Sequence, residues 1–197
     1  KEQKARERQV ARRRAEAQKR IQQQMNEGVE EVLLDAGTGP LRWNSEGWAN
    51  PLALSVKDQP DSERKFVTCS LKKGSKDKWV VSLAQNCDVQ DYDELRVEMV
   101  SAEGIKVAVG VWTMPGYKLH EGRPKRIKTG KKFETVAFDL QGSDFKSKKT
   151  KWRYTTAVED PGKVFKLSLF FYNRPEEPVR FRNVRLVRKG EKGKNPG

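Results

Sequence analysis

Histidine, cysteine and long apolar runs are all scarce in this sequence of 197 residues. Its single histidine, His120, has no cysteine or carboxylate partners at metal-ligand spacing. Phosphate-binding, dinucleotide-binding and serine-nucleophile motifs are missing as well. We therefore expect no enzymatic activity, no catalytic residue, no metal site and no cofactor, with His120 exposed in a polar loop.

The two cysteines, Cys69 and Cys87, leave two interpretations open. In an oxidising compartment they could form a disulfide, whereas in a reducing cytosol they would be separate buried thiols.

No apolar run approaches the roughly 18 residues that a membrane-spanning helix needs. The length suits one domain with an appendage.

Positive charge is abundant, with a formal net charge of +14. Residues 1–20 alone hold nine Lys or Arg and three Glu. Such a balance favours an anionic partner, although a basic protein that is merely soluble has the same composition. No module that reads RNA or DNA is recognisable, so we do not expect nucleic acid.

Residues 1–28 predict a basic helical arm. The segment 1–27 has no glycine or proline and consists mostly of strong helix formers, and Gly28 is a suitable stop. Such a helix is roughly 40 Å long. Its apolar stripe is too thin to be buried along its whole length, so the first half should lie on a partner or in solvent; a frayed leader is the alternative. The residues predicted to bind a partner are Val10, Arg12, Arg13, Arg14, Ala17, Ile21 and Met25.

Beyond Gly28, apolar and polar residues alternate as they do in β-strands. The predicted strands are 32–35, 52–56, 65–72, 78–84, 94–101, 105–111, 132–139, 164–172 and 178–188, with 65–72 and 78–84 forming a hairpin. The apolar phase shifts between Phe181 and Val184, which predicts a β-bulge. We expect an all-β fold: a two-sheet antiparallel jelly-roll sandwich over residues 29–189, preceded by a long N-terminal basic α-helix. Residues 190–197 should be a disordered tail.

Three segments, 88–97, 133–140 and 181–186, resemble the strand signatures of galactose-binding-domain-like sandwiches, which include carbohydrate-binding modules. The resemblance covers roughly residues 30–188 and implies the fold rather than one function. In that family an aspartate in the last strand often helps to bind calcium, but here the position is Arg182. Because calcium requires oxygen ligands, we predict no calcium site.

Aromatic and basic residues are concentrated in the predicted loops. Flat rings can stack on sugars, form protein hot spots or simply cap the ends of a sandwich. The candidate contacts for a glycan or a protein are Trp43, Trp48, Trp112, Tyr117, Trp152, Tyr154, Arg123, Lys125 and Arg126. A second basic loop contains Lys146, Lys148, Lys149, Lys151 and Arg153, and the two basic loops would form an anion-facing surface if they were neighbours.

Two functions fit these features. The first is a non-catalytic structural or assembly protein whose sandwich and arm dock onto neighbouring subunits, or onto a protein partner, in a scaffold or filament. The alternative is a carbohydrate-binding module that recognises an acidic or neutral glycan through its loop aromatics. A start at Lys1 inside a helical pattern, the two cysteines and the family resemblance together predict an extracytoplasmic location: a periplasm-like compartment, the cell surface or the secreted fraction.

Overall fold

The computed structural model describes residues 2–34, 43–58 and 65–189. It has one α-helix, α1 (Glu2–Asn26), and a short 3-10 helix at Pro161–Lys163. The strands are β1 (Glu31–Leu33), β2 (Trp43–Ser45), β3 (Leu52–Asp58), β4 (Lys65–Leu71), β5 (Lys78–Cys87), β6 (Glu94–Val100), β7 (Ile105–Thr113), β8 (Lys118–Gly122), β9 (Lys125–Ile127), β10 (Glu134–Asp139), β11 (Phe145–Lys146), β12 (Val164–Tyr172) and β13 (Val179–Val187). The predicted tail at 190–197 lies outside the described residues.

In the described part of the chain, the strands form two antiparallel sheets. A six-stranded sheet has the order β10-β6-β13-β4-β3, with β1 beside β13. A seven-stranded sheet has the order β11-β8-β7-β12-β5-β2, with β9 beside β7. The predicted all-β sandwich with an N-terminal helix is confirmed.

Strand β12 shows how the sequence separates the two faces of the seven-stranded sheet. Leu167, Leu169 and Phe171 belong to the core between the sheets, whereas Ser168 and Phe170 point the other way, because successive side chains alternate along a strand. We call the side that carries Ser168 and Phe170 the outer face. Both sides of β12 are largely buried, so side chains of the protein itself cover much of the outer face.

The predicted hairpin between 65–72 and 78–84 is wrong. Strand β4 pairs with β3 and β13 in one sheet, and β5 pairs with β12 and β2 in the other. The connecting segment closes around Asn50, whose amide donates to the carbonyl of Lys76 at 2.6 Å and accepts from its backbone N–H at 2.9 Å. The indole N–H of Trp79 also donates to the carbonyl of Lys72 at 2.8 Å, which fixes the crossing between sheets.

The predicted bulge in the last strand is present. The register between β13 and β6 shifts between Arg182 and Arg185, and Asn183 adopts a left-handed φ of 50°. Arg182 donates to Glu98 at 2.7 Å, and its guanidinium lies 4.1 Å from the ring centre of Phe133. The position of the family's calcium-binding aspartate thus carries a cation already paired with a carboxylate. Among the described residues, no group of three potential metal ligands occurs.

The two cysteines are not joined, so of the two interpretations the one with separate thiols is correct. Both are buried thiols. Cys69 lies within β4 of the six-stranded sheet, and Cys87 ends β5 in the seven-stranded sheet. Burial raises the pKa of the Cys69 thiol, so it stays protonated and unreactive at neutral pH.

Helix α1 packs its second half onto its own sandwich. Ile21 is 3% exposed and belongs, with Met25, to the core cluster, and the Gln18 amide donates to the carbonyl of Asn86 at 2.9 Å. Gly28, at φ 70°, ends the helix. Ile21 and Met25 are therefore unavailable to a partner, contrary to their predicted role, because their stripe covers this chain's own core.

The first half of α1 matches the prediction better. From Gln3 to Glu16, the side chains that the structure describes are exposed, apart from the half-buried Val10.

Within the described ranges, no helix is long and apolar enough to cross a membrane.

Replacing Ile21 with alanine should destabilise the protein, because it removes core volume that the helix supplies. We expect Ile21→Ala to lower the free energy of unfolding by about 2–5 kcal/mol. Lys19→Ala, an exposed neighbour, should change it by less than about 0.5 kcal/mol. Urea unfolding followed by circular dichroism measures both. Equal midpoints for the two variants would show that the helix does not contribute to the core.

A candidate ligand-binding cleft

A cleft of about 540 Å³ lies between the β7–β8 hairpin and the loop that follows β11. The hairpin sets Trp112 opposite Leu119, and both line the cleft. The other wall is supplied by Ser147, Lys148, Lys149, Trp152 and Glu159. Three of the aromatic residues predicted from the sequence therefore meet in one place: Trp112, Tyr117 and Trp152.

The three rings differ in their exposure to solvent. Tyr117 is 69% exposed and Trp152 is 51% exposed. Trp112 is half-buried, because its indole N–H donates to the Ser168 hydroxyl at 2.9 Å and the Lys166 ammonium lies 4.1 Å from its ring centre. The cleft thus combines one fixed ring with two that face solvent.

Unusual backbone conformations present the two exposed rings. Gly116 and Tyr117 have φ values of 89° and 53°, and Lys151 and Trp152 have values of 52° and 60°. Asp160, beside the cleft residue Glu159, has a φ of 52°. Left-handed conformations cost a non-glycine residue roughly 1–2 kcal/mol. Strain of this kind gathers at ligand-binding sites, where the surrounding structure holds it in place.

Hydrogen bonds hold the loop of Trp152. The Thr150 hydroxyl donates to the carbonyl of Arg153 at 2.8 Å, lies 3.1 Å from the carbonyl of Ser147, and accepts from the Ser147 N–H at 3.0 Å. The backbone N–H of Trp152 donates to the Ser147 carbonyl at 2.9 Å. The indole therefore sits on a loop closed by its own backbone and one threonine.

Four charged side chains at the cleft form a connected series of ion pairs in which lysines alternate with acidic residues. Glu159 contacts the ammonium groups of Lys149 at 3.2 Å and Lys118 at 3.4 Å, and Lys118 also contacts Asp160 at 2.8 Å. The hydrogen bond from Lys149 is the main reason that the pKa of Glu159 is lowered. The bond to Asp160 is the main reason that the pKa of Lys118 is raised. Glu159 and Lys118 are consequently both charged at neutral pH.

Two buried polar residues also line the cleft. His120 is 1% exposed, because it faces inward from β8, which corrects its predicted place in an exposed loop. Its Nε2 accepts the backbone N–H of Glu159 at 3.2 Å, and burial lowers its pKa, so the ring is neutral. Ser147 is 5% exposed, and its hydroxyl has no hydrogen-bond partner among the described residues. That hydroxyl is thus an unpaired buried group in a residue of the cleft wall.

The outer face continues the aromatic surface beyond the cleft. The ring centre of Trp48 lies 6.2 Å from that of Trp112 and 6.0 Å from that of Phe170. Phe170 lies on the bare backbone of Gly110, where a Cβ atom would come within 2.2 Å of its ring. The Trp48 indole donates to Glu46 at 3.0 Å. Trp48 and Trp112 thus form adjoining parts of one surface.

A buried carboxylate stabilises this surface from below. Glu121 on β8 is completely buried and contacts the ammonium groups of Lys78 on β5 at 3.1 Å and Lys146 on β11 at 2.8 Å. It also accepts a hydrogen bond from the hydroxyl of Tyr172 on β12. Burial opposes the ionisation of Glu121, but the hydrogen bonds from Lys146 and Tyr172 and the nearby positive charges outweigh it and lower its pKa. Lys146 directly precedes Ser147, so this cluster also anchors the loop of the cleft.

The remaining predicted aromatics do not line the cleft. Trp43 is buried in β2, edge-on to Phe181 at 4.9 Å, so its predicted place among the exposed loop contacts is wrong. Tyr154 lies beneath the Arg123 guanidinium, 4.8 Å from its ring centre, and the Lys146 ammonium, at 5.0 Å.

The predicted cations of the first basic loop also lie apart from the cleft. Arg123 forms an ion pair with Asp144 at 3.1 Å. Lys125 donates to the carbonyl of Ala137. Arg126, on β9, has its guanidinium beside Gly104. None of these three cations is among the residues that line the cleft.

The contribution of Lys118 and Glu159 to the cleft was not foreseen from the sequence. Both lie in polar stretches where charged residues are common, and their pairing joins positions 41 residues apart. No local pattern could have shown it.

Comparison with known proteins gives the class of fold. No protein-family model and no curated protein matches the chain. A family 11 carbohydrate-binding module from Clostridium thermocellum, solved in complex with a β-1,3-1,4-mixed-linked tetrasaccharide, is similar in structure with 15% identity and a TM-score of 0.55 over 80% of this chain and 95% of that one. The family 11 module of a cellulosomal cellulase of the same organism has 15% identity and a TM-score of 0.56, over 81% and 95% of the two chains.

A third similar structure is an exo-β-agarase, with 13% identity and a TM-score of 0.53 over 75% of this chain and 24% of that one. These comparisons confirm the predicted resemblance at the level of the fold. The chain is a β-sandwich of the type found in carbohydrate-binding modules.

Replacing Glu121 with glutamine should destabilise the outer face, because two half-buried ammonium groups would lose their counter-charge. We expect Glu121→Gln to cost about 3–5 kcal/mol at pH 7. The contribution of the carboxylate is present above the pKa of an unfolded glutamate and is lost as the pH falls through its lowered pKa in the folded protein.

The difference between wild type and Glu121→Gln should therefore shrink in acid, as urea unfolding at pH 7 and pH 3 would show. Glu177→Gln, an exposed substitution, is the control and should have little effect at either pH. A difference that stays constant with pH would contradict the ionised pair.

Proposed function

We propose that this protein is a non-catalytic glycan-binding module, and that a sugar chain binds in the cleft between the β7–β8 hairpin and the loop after β11. The observation that carries the proposal is the convergence of Trp112, Tyr117 and Trp152 on one cleft, together with fixed charged groups.

The chemistry of the cleft suits a sugar. A pyranose ring has an apolar C–H face that loses contact with water when it stacks on a flat aromatic ring. Its hydroxyl groups need hydrogen-bond partners when they are buried. The ammonium groups of Lys118 and Lys149 are donors, Glu159 is an acceptor, and the Ser147 hydroxyl is both.

The cleft is also largely ordered before any ligand arrives. Thr150 closes the loop of Trp152, and Lys118 and Lys149 are held by Glu159. Ordering loops and side chains on binding costs free energy, and a site that is already ordered avoids part of this cost. The similar fold of the family 11 modules supports the same function, because one was solved with a bound tetrasaccharide.

The carboxylates of the cleft do not suit hydrolysis. Glycosidases generally use two carboxyl groups, one of them protonated to act as a general acid. Here Glu159 and Asp160 share Lys118 as a partner, and the pKa of each is lowered. Both are ionised at neutral pH, which favours binding over catalysis. An extracytoplasmic location, where polysaccharides are accessible, is part of this proposal.

Removing an exposed ring should weaken glycan binding while the fold stays intact. We expect Trp152→Ala and Tyr117→Ala each to weaken binding by about tenfold or more, because truncating an aromatic residue on which a ligand packs costs on the order of 1–2 kcal/mol. Isothermal titration calorimetry against a broad panel of soluble polysaccharides measures this loss.

Two control variants sharpen the experiment. Tyr154→Ala removes a ring outside the cleft and should bind normally. Trp43→Ala removes a buried ring and should instead lower the free energy of unfolding by about 3–5 kcal/mol. If the wild type bound no glycan of the panel, the proposed function would be refuted.

A second candidate function, assembly with a protein partner, is favoured by the exposed first half of α1. Arg12, Arg13 and Arg14 are exposed there, and Val10 is only half-buried. An exposed basic helix can lie along an acidic surface of another subunit.

Light scattering coupled to size-exclusion chromatography tests this second function. A chain that begins at Ala17 keeps Gln18, Ile21 and Met25 in place and loses the exposed half. If the arm assembles the protein, the full chain should form oligomers that increase with concentration, and the shortened chain should be monomeric. The same mass for both chains at every concentration would rule out assembly through the arm.

A further inference from the structure

The loop that forms one wall of the cleft is strongly basic. Residues 146–153 contain five cations and no acidic residue. Two of these cations are already paired, Lys146 with Glu121 and Lys149 with Glu159. We propose that the glycan bound in the cleft is anionic, so that a carboxylate or sulfate group on a sugar is bound by Lys148, Lys149 and the Ser147 hydroxyl. This inference rests on the proposed function and names its class of ligand.

Lys148 is the central residue of the proposal. Its side chain is exposed and lines the cleft, and it forms no ion pair with any residue in the described ranges. Lys151 and Arg153, in the same loop, are also exposed and form no ion pair there. The loop thus carries more positive charge than the neighbouring carboxylates Glu121 and Glu159 neutralise, and an anionic ligand would supply the remaining counter-charge.

Ser147 gives the second, independent observation. Its hydroxyl is buried, lacks a hydrogen-bond partner among the described residues and lines the cleft next to Lys148. Leaving a buried hydroxyl without a hydrogen bond costs roughly 1–3 kcal/mol. A carboxylate or sulfate oxygen could accept this hydroxyl proton while it contacts the neighbouring ammonium group, and charge-assisted bonds of this kind are stronger than neutral ones.

Glu159 does not oppose an anion. It lies between the ammonium groups of Lys118 and Lys149, at 3.4 and 3.2 Å, so its charge is compensated locally. It also holds Lys149 at the cleft beside Lys148. The aromatic rings remain free to stack on the sugar that carries the anionic group.

The test compares anionic polysaccharides with neutral relatives, using the full chain and isothermal titration calorimetry. Polygalacturonate is measured against its methyl ester, in which the carboxylates are neutral, and κ-carrageenan is measured against soluble agarose, which lacks sulfate. The variant Lys148→Gln/Lys149→Gln removes two charges from the cleft. Its matched control, Lys131→Gln/Lys132→Gln, removes two adjacent charges from an exposed loop outside it.

We expect at least one anionic polymer to bind about tenfold or more tightly than its neutral relative. Lys148→Gln/Lys149→Gln should lose most of this preference, and Lys131→Gln/Lys132→Gln should keep it. Binding should also weaken with added salt. A preference for polygalacturonate would assign a uronate, and a preference for κ-carrageenan would assign a sulfate ester; either supports the inference.

Other outcomes would overturn it in distinguishable ways. If the neutral polymers bind as tightly as the anionic ones, the glycan-binding function stands and the inference fails. Equal losses in the two double variants would show unspecific attraction to a basic protein. Binding of single-stranded DNA as tightly as any polysaccharide, with the same loss in Lys148→Gln/Lys149→Gln, would assign the cleft to nucleic acid instead. If no polymer binds, both the inference and the proposed function fail.

Discussion

The buried carboxylate of Glu121 is the interaction on which the outer face depends. It connects β8 to β5 through Lys78, to β11 through Lys146 and to β12 through Tyr172. Because an unpaired charge in a buried place is very costly, these strands cannot move apart without breaking the whole cluster. The same lysines lie near aromatic rings: Lys78 is 5.8 Å from the ring centre of Trp48, and Lys146 is 5.0 Å from that of Tyr154. One acidic side chain therefore fixes the sheet, the aromatic surface and the start of the cleft loop.

One wall of the cleft is a pair of strands and the other is a restrained loop. The β7–β8 hairpin belongs to the seven-stranded sheet and carries Trp112, whose indole is tied to Ser168. The opposite wall is a loop, but the hydroxyl of Thr150 and the ion pair between Lys149 and Glu159 restrain it. Loops positioned by a rigid scaffold often carry binding residues, because they can vary without disturbing the core.

Local patterns in the sequence predicted strands well and tertiary pairing poorly. Strand β12 has the predicted bounds, and the bulge near Asn183 was visible as a phase shift, since both depend on residues that are close in the chain. The pairing of β4 and β5 was wrong because alternation shows which residues share a face but not which sheet they join. The short strand β2 has no alternating repeat, so the local pattern around Trp43 predicts a loop. In α1 the apolar stripe was visible, but its burial against the same chain was not.

Three aromatic residues of the cleft could be predicted because tryptophan and tyrosine stand out in polar segments beside glycine, proline and lysine.

Gly110, beneath the outer face, contributes through its lack of a side chain, which no sequence pattern indicates. Gly110 leaves no space between its backbone and Phe170, and Trp48 lies against Phe170. Because Gly110 has no Cβ atom, Phe170 can lie directly on the sheet, and this sets the height of the aromatic surface. A single methyl group at position 110 would displace Phe170 and the Trp48 ring that lies against it, so a residue without any side chain helps to define the shape of the surface above it.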